Sequence, residues 1–103
     1  EEVILVMTDN KNRLICDRVL SKGTVNCSLM SPREVFLVAL EYHAVHILLI
    51  HNHPSGDAAP SRQDIEITEH LARLCDMMQL PLLDHIIVGD GCYVSFKESG
   101  LLK

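Results

Sequence analysis

No apolar run in this 103-residue sequence is long enough to cross a membrane: stretches such as Ile47-Leu48-Leu49-Ile50 fall far short of the roughly 18 residues a span needs. A membrane protein is excluded on that ground. Basic residues are few, 9 Lys and Arg against 14 Asp and Glu for a formal net charge of −5, and they are scattered rather than massed. The chain therefore lacks the electrostatic footprint that dominates nucleic-acid affinity, and any link to DNA is expected to come through other segments. The 4 cysteines (Cys16, Cys27, Cys75, Cys92) lack the close pairing of a zinc knuckle or a redox motif, and each sits in an apolar or strand-like context. Reduced, buried thiols in a cytosol are the expectation. No basic start followed by an apolar run resembles a signal peptide, although the chain opens mid-pattern at Glu1-Glu2, as an excised fragment would. No tract is biased enough for disorder, and no internal repeat is visible. What remains, 48% hydrophobic and 22% charged with only 4% aromatic, is a globular composition at a length that holds one core, so residues 1–103 are read as a single domain.

Residues 2–8 and 14–22 are β-rich, and Asp9-Asn10-Lys11-Asn12 between them is a turn signal, which gives an opening hairpin. Ser31-Pro32-Arg33-Glu34 has the composition of a helix start, and Val35, Ala39 and Tyr42 recur at helical spacing to about His43. Residues 45–50 form a short, almost wholly apolar run that predicts a strand covered on both faces. A polar loop from His51 to Pro60 leads to Ser61-Arg62-Gln63-Asp64, a capping-box-like start for a second helix running to about Gln79. Ile65, Thr68, Ala72, Cys75 and Met78 are its predicted inner stripe, and Glu66, Glu69, Arg73 and Asp76 its outer one. Residues 82–88 and 92–96 around Gly89-Asp90-Gly91 predict a closing hairpin. The order β-β-α-β-α-β-β implies an α/β or α+β domain with helices on a mixed sheet.

The chemistry gathers at the end of the apolar strand. His51 and His53 are two residues apart, so on extended chain they project to one side about 6–7 Å apart at Cα, and two imidazoles can converge on one ion. Asp64 falls in the first turn of the second helix, where a negative charge is favoured, and comes close if that helix folds back over the strand end. Three ligands of this type leave one position for water, the design of a catalytic zinc site. Zinc lowers the pKa of such a water toward about 7, and a nearby carboxylate can shuttle its proton.

His51-Asn52-His53-Pro54-Ser55-Gly56 followed by Pro60-Ser61-Arg62-Gln63-Asp64 resembles the JAMM signature, His-x-His-Pro, a spacer, then Ser-x-x-Asp, in its RadC version. The resemblance extends over nearly the whole chain, through Asn12-Arg13, Gly23-Thr24, Pro32-Arg33-Glu34-Val35-Phe36, Leu83-Asp84-His85-Ile86-Ile87-Val88-Gly89 and Tyr93-Val94-Ser95. It implies a JAB/MPN-like fold, a mixed β-sheet sandwiched by helices in the three-layer manner of cytidine deaminases. It also implies Zn2+ held by His51, His53 and Asp64, Ser61 as oxyanion donor, and hydrolysis of a peptide or isopeptide bond in a peptide or protein substrate. A glutamate on the first strand is the implied general acid/base. In the RadC-like pattern it lies eight residues before the turn Asp, which maps to Glu1; Glu2 is adjacent on the other strand face, and Glu34 is a third candidate, more naturally a helix-start residue. RadC-like proteins often carry a helix-hairpin-helix region ahead of this domain, which these residues do not include, and a family association with DNA repair that does not itself supply a mechanism. The RadC branch leaves the substrate open, and the oligomeric state is not legible.

Each of these residues also has a plainer reading. His43, His46 and His70 read as packed or exposed side chains, and Ser61 with Asp64 makes a sound helix cap without any catalysis. Pro54 and Gly56 need only shape the loop. Asp84-His85 reads more simply as a strand-start pair than as support for the metal ligands. The whole motif can also persist in an inactive metal-binding scaffold or protein-interaction module. Nucleobase deamination is excluded, because it needs His-x-Glu with a distant Pro-Cys-x-x-Cys.

Overall fold

The computed structural model of the protein describes residues 2–21 and 31–103. The opening hairpin pairs β1 (Val3–Thr8) with β2 (Leu14–Ser21), antiparallel, with Thr8 opposite Leu14. Its turn is built by Asp9, whose carboxylate accepts the Lys11 and Arg13 amides at 2.8 and 3.0 Å while Asn12 takes a left-handed φ of 59° that Asn tolerates better than most residues. The helix α1 (Pro32–Glu41) starts on Pro32, with Ser31 in the cap position but making no side-chain capping bond.

Both helices stop earlier than their periodicity suggests, and for the same reason. His43 and Gln79 take φ values of 55° and 56°, and the next amides, Ala44 and Leu80, reach back to the carbonyls of Ala39 and Cys75 at 2.9 Å each. This is the Schellman closure, made here without glycine. α1 therefore ends at Glu41, and α2 (Arg62–Met77) ends at Met77.

The remaining strands are β3 (His46–Asn52), β4 (Leu82–Val88) and β5 (Tyr93–Ser95), and the five-stranded sheet runs β2-β1-β3-β4-β5. Only β3 and β4 are parallel among these neighbours, and α2 is the crossover that a parallel pair requires. The result is an α/β domain with helices packed on a mixed sheet. Its core joins Val3, Leu5, Met7, Ile47, Leu49 and Ile87 of the sheet with Val35 and Ala39 of α1 and Leu71 and Cys75 of α2, all 0% exposed.

Two details differ from expectation. β3 buries Ile47, Leu49 and His51 but leaves Leu48 and Ile50 half-buried, because the buried helix residues all join the cluster on the first of those faces. On α2 the fully buried row is Asp64, Thr68, Leu71 and Cys75, and Met78 is 48% exposed because it lies in the cap rather than in the helix. No helix among the described residues is long and apolar enough to cross a membrane.

The cysteines divide. Cys75 is buried, and loss of hydration pushes its thiol up to about 12, with the nearby Asp76 adding to the effect. Cys16 is half-buried and Cys92 exposed, so burial is not common to all, and Cys27 lies outside the described residues. Since the thiolate is the nucleophile, alkylation of the native protein at pH 8 is expected to label Cys92 and leave Cys75 untouched until the protein is unfolded. Peptide mass mapping checks this, and early labelling of Cys75 would contradict its placement.

A candidate metal centre at the end of β3

The antiparallel pairing of β1 with β3 sets Val3 opposite His51, so the His51 side chain shares the buried face of the sheet and is 1% exposed. One residue beyond the strand, the His53 amide still reaches the Val88 carbonyl of β4 at 2.9 Å. The following loop is docked on the β4–β5 turn. Asp90 donates its amide to the Gly56 carbonyl at 2.8 Å, and Gly56 itself has a φ of 87°. Gly89 lies beneath: a Cβ there would sit 2.3 Å from the Gly56 oxygen and 2.9 Å from the Ala58 nitrogen, so no larger residue fits without moving the loop. Gly56 thus does more than shape the loop locally, since it is held against the β4–β5 turn.

Asp64 arrives from the opposite side. Ser61 caps α2 by accepting the Asp64 amide at 3.0 Å, and Asp64 returns the bond by accepting the Ser61 amide on Oδ2 at 2.8 Å, a reciprocal capping box. That closure turns the carboxylate toward the histidines, with Oδ2 3.1 Å from His53 Nε2 and Oδ1 3.6 Å from His51 Nε2. Burial works to raise the Asp64 pKa, but the Ser61 amide and hydroxyl and the two imidazoles outweigh it, so the group is held below its ordinary value. It stays a carboxylate at neutral pH.

The donor atoms of His51, His53 and Asp64 all lie within 4.8 Å of one another, a group that can hold a metal ion. Four-coordinate zinc with bonds of about 2.0–2.2 Å sets neighbouring ligands roughly 3.3–3.6 Å apart; His53 Nε2 lies 3.1 Å from Asp64 Oδ2 and His51 Nε2 3.6 Å from Asp64 Oδ1, and with one atom per residue the set spans up to 4.8 Å. The two nitrogens and one oxygen also suit zinc chemically.

Behind these groups stands a second set. His53 Nδ1 lies 2.9 Å from the Asp57 carbonyl, which can only accept, so Nδ1 carries a proton and Nε2, which faces Asp64 Oδ2 at 3.1 Å, is the nitrogen that would bind a metal. His51 Nδ1 meets not a carbonyl but a third imidazole, His85 Nε2, at 2.6 Å, and His85 Nδ1 meets Thr68 Oγ1, also at 2.6 Å. His85 is 0% exposed and stacks on Phe96 at 4.7 Å between ring centroids. Burial, reinforced by the His51 ring and opposed by Asp64 and Asp84, lowers its pKa to about 3, so it is neutral at physiological pH. The strand-start reading therefore fails for His85. It holds for Asp84, whose carboxylate collects the His85 amide at 2.7 Å, the Ser95 hydroxyl at 2.5 Å and the Lys97 amide at 2.9 Å, and so fastens β5 to β4. The sequence carries only local cues to the inner set, which become informative once the topology is known. Thr68 is one helical turn beyond Asp64, and His85 is a polar residue in an inward position between apolar ones.

Of the acid/base candidates, Glu1 lies outside the described residues. Glu2 lines a cavity of about 220 Å3 together with Ile4, Ile50, His51, Asn52 and Val88, while strand alternation sets it on the face of Ile4 rather than that of Val3. Glu34 is exposed in the first turn of α1. His43 and His70 are exposed and His46 half-buried, as read.

A family model described as the RadC-like JAB domain matches residues 1–101. Relatives that cover the chain are named UPF0758 proteins: one from Methanosarcina mazei is 45% identical over 103 residues, all of this chain, and one from Geobacter sulfurreducens is 46% identical over 102 residues, 99% of it. A third, from Trichlorobacter lovleyi, is 48% identical over 102 residues. The chain spans only 45%, 44% and 44% of these relatives' lengths.

Proposed function

The chain belongs to the RadC-like JAB domain family, and from that premise we propose that it is a zinc-dependent hydrolase of JAMM type that cleaves a peptide or isopeptide bond. The observation that carries the proposal is the convergence of His51, His53 and Asp64 at the junction of a strand end and a helix start, with their donor atoms within 4.8 Å. In this reading the three side chains are the metal ligands. Zinc, when bound, supplies a Lewis acid that polarises a carbonyl and makes water nucleophilic near neutral pH.

The chain's own residues do the rest. Ser61 is exposed, and its oxygen already accepts the Asp64 amide, which fixes the side chain while leaving the hydroxyl hydrogen to donate. That hydrogen suits an oxyanion developing on the substrate carbonyl. Glu1 is the proposed general acid/base, since strand alternation predicts the face of Val3 for it, and Val3 is in register with His51. The backbone beside it is tied down: Asn52, between the two histidines, accepts the Glu2 amide on its side-chain oxygen at 2.7 Å and donates its own amide to the Glu2 carbonyl at 3.4 Å. The 3 free cysteines among the described residues suit a reducing cytosol.

Zinc content measured on the purified protein, together with cleavage of peptide and isopeptide substrates before and after chelation, tests the proposal. Zinc-dependent cleavage supports it. Protein that takes up no zinc under zinc-replete conditions would overturn it, and protein that binds zinc but cleaves neither bond type is a metal-binding scaffold instead. Ser61→Ala is expected to lower stability by about 1 kcal/mol through loss of the cap and turnover by about 10²-fold through loss of the oxyanion donor. Chemical denaturation and steady-state kinetics read the two separately, and full turnover in the variant would leave Ser61 only as a cap.

A further inference from the structure

A metal-ligating imidazole must present a bare nitrogen to the ion, and its other nitrogen must then carry the proton. For His53 that requirement is met by a backbone carbonyl, which can only accept: Asp57 O lies 2.9 Å from Nδ1. For His51 the neighbour at 2.6 Å is His85 Nε2, and an imidazole nitrogen can either accept or donate. The tautomer of His51 is therefore decided one residue further back.

If His85 carries its proton on Nε2, that proton points at His51 Nδ1 and drives the His51 proton to Nε2, toward Asp64, where a metal would have to bind. If His85 carries its proton on Nδ1, its Nε2 accepts from His51 Nδ1, and His51 Nε2 is left bare. The partner of His85 Nδ1 is Thr68 Oγ1 at 2.6 Å, inside the protein with Thr68 only 1% exposed; a hydroxyl can accept that proton or donate its own, and only the accepting arrangement is compatible with a metal on His51 Nε2. The Phe96 ring, stacked on His85 with an interplanar angle of 19°, keeps the imidazole in the plane that lets both of its nitrogens reach their partners.

We propose that Thr68 and His85 form a positioning relay, Nδ1–H of His51 to Nε2 of His85 and Nδ1–H of His85 to Oγ1 of Thr68, that supports the metal-binding tautomer of His51. Neither residue touches the metal. This rests on the reading of His51 as a ligand, and it assigns to the apolar strand β4 and the middle of α2 a part in metal affinity. Groups standing behind metal ligands in this way change affinity by about 10- to 100-fold when removed.

The test compares Thr68→Val, Thr68→Ala and Thr68→Ser. Valine keeps the shape of threonine without its hydroxyl. Alanine and serine both lose the methyl, and only serine keeps the oxygen, so a packing effect moves the last two together and a hydrogen-bond effect separates them. Zinc affinity is read by competition with a chromophoric chelator, folding by chemical denaturation of the metal-free proteins, and the tautomers of His51 and His85 by long-range ¹H–¹⁵N spectra of the zinc-loaded wild type. The relay predicts Thr68→Val and Thr68→Ala weaker by about 10- to 100-fold, Thr68→Ser restored to within a few-fold of wild type, and both rings protonated on Nδ1. Folded Thr68→Val and Thr68→Ala proteins that bind zinc as wild type does, or a Thr68→Ser protein as weak as Thr68→Ala, would overturn it. So would a His85 ring protonated on Nε2. A His53→Ala control distinguishes the two levels: a wild type that binds no zinc, or one whose zinc survives His53→Ala, removes the ligand assignment itself. Loss in His53→Ala with none in the Thr68 variants removes only the relay.

Discussion

Asp64→Ala is expected to lose the zinc and weaken the start of α2 in a single step. The carboxylate makes three contacts at once: Oδ2 accepts the Ser61 amide at 2.8 Å, the same oxygen lies 3.1 Å from His53 Nε2, and Oδ1 lies 3.6 Å from His51 Nε2. Removing it opens the capping box, at about 1–2 kcal/mol, and strips the centre of its proposed anionic ligand. The affinity loss should exceed the roughly 10- to 100-fold that follows loss of a merely supporting group. Asp64→Asn separates the two roles, because its amide oxygen can still accept from Ser61 while the charge is gone. The expected result is Asn close to wild type in metal-free stability and close to Ala in zinc content, read by denaturant titration and elemental analysis. Asp64→Asn protein that keeps a full complement of zinc would leave Asp64 as a helix cap and no more.

That one residue serves both the fold and the proposed chemistry explains why the site was so legible. A capping box and a helix start are local features, written in Ser61-Arg62-Gln63-Asp64 itself, and the two histidines are fixed by the strand that precedes them. Likewise the turn at Asp9 and the hairpin at Gly89-Asp90-Gly91 carry their own chemistry. What could not be read locally were features set by tertiary contact. Gly89 looks like a turn residue, and only the docked loop shows that its missing Cβ makes room for Gly56. The helix ends were misplaced because His43 and Gln79 take the left-handed conformation that sequence rules expect of glycine or asparagine. Met78 fell on the predicted inner stripe because its periodicity is right. The helix had already closed before it.

His85 is the most instructive case. In isolation a histidine beside an aspartate in a β-rich segment has no reason to be more than a strand residue, and most such residues are not. Its role appears only when β4 is placed parallel to β3, which sets Leu49 opposite His85 and carries His51 and His85 onto the same buried face. That face is roofed by α2, and Thr68 is the hydroxyl it presents there. The parallel pairing is itself a product of the crossover, so the inner set of the site depends on the topology of the whole domain rather than on any short motif.

Glu1→Gln is expected to keep the metal and lose turnover by about 10²- to 10⁴-fold, the range that a positioned general acid/base contributes. The amide preserves the shape of the side chain but cannot accept a proton from water, so zinc content should stay at the wild-type level while cleavage falls. The assignment follows from register. Val3 pairs with His51, and the period-two alternation of a strand, if continued back to residue 1, predicts the face of Val3 for Glu1. Glu2, by alternation, falls on the face of Ile4, and Glu34 is exposed on α1. The backbone of Glu2 is held by two hydrogen bonds to Asn52, its amide to the side-chain oxygen and its carbonyl to the Asn52 amide. Because the relatives are more than twice as long as this chain, the experiment is best run on an N-terminally extended chain in which residue 1 is not the terminus. Glu1→Gln, Glu2→Gln and Glu34→Gln are compared for zinc content and for hydrolysis of peptide and isopeptide substrates. Only the first should lose activity with its metal intact. Loss of turnover in Glu2→Gln or Glu34→Gln alone would move the acid/base assignment to that residue and show that the strand register does not continue to residue 1.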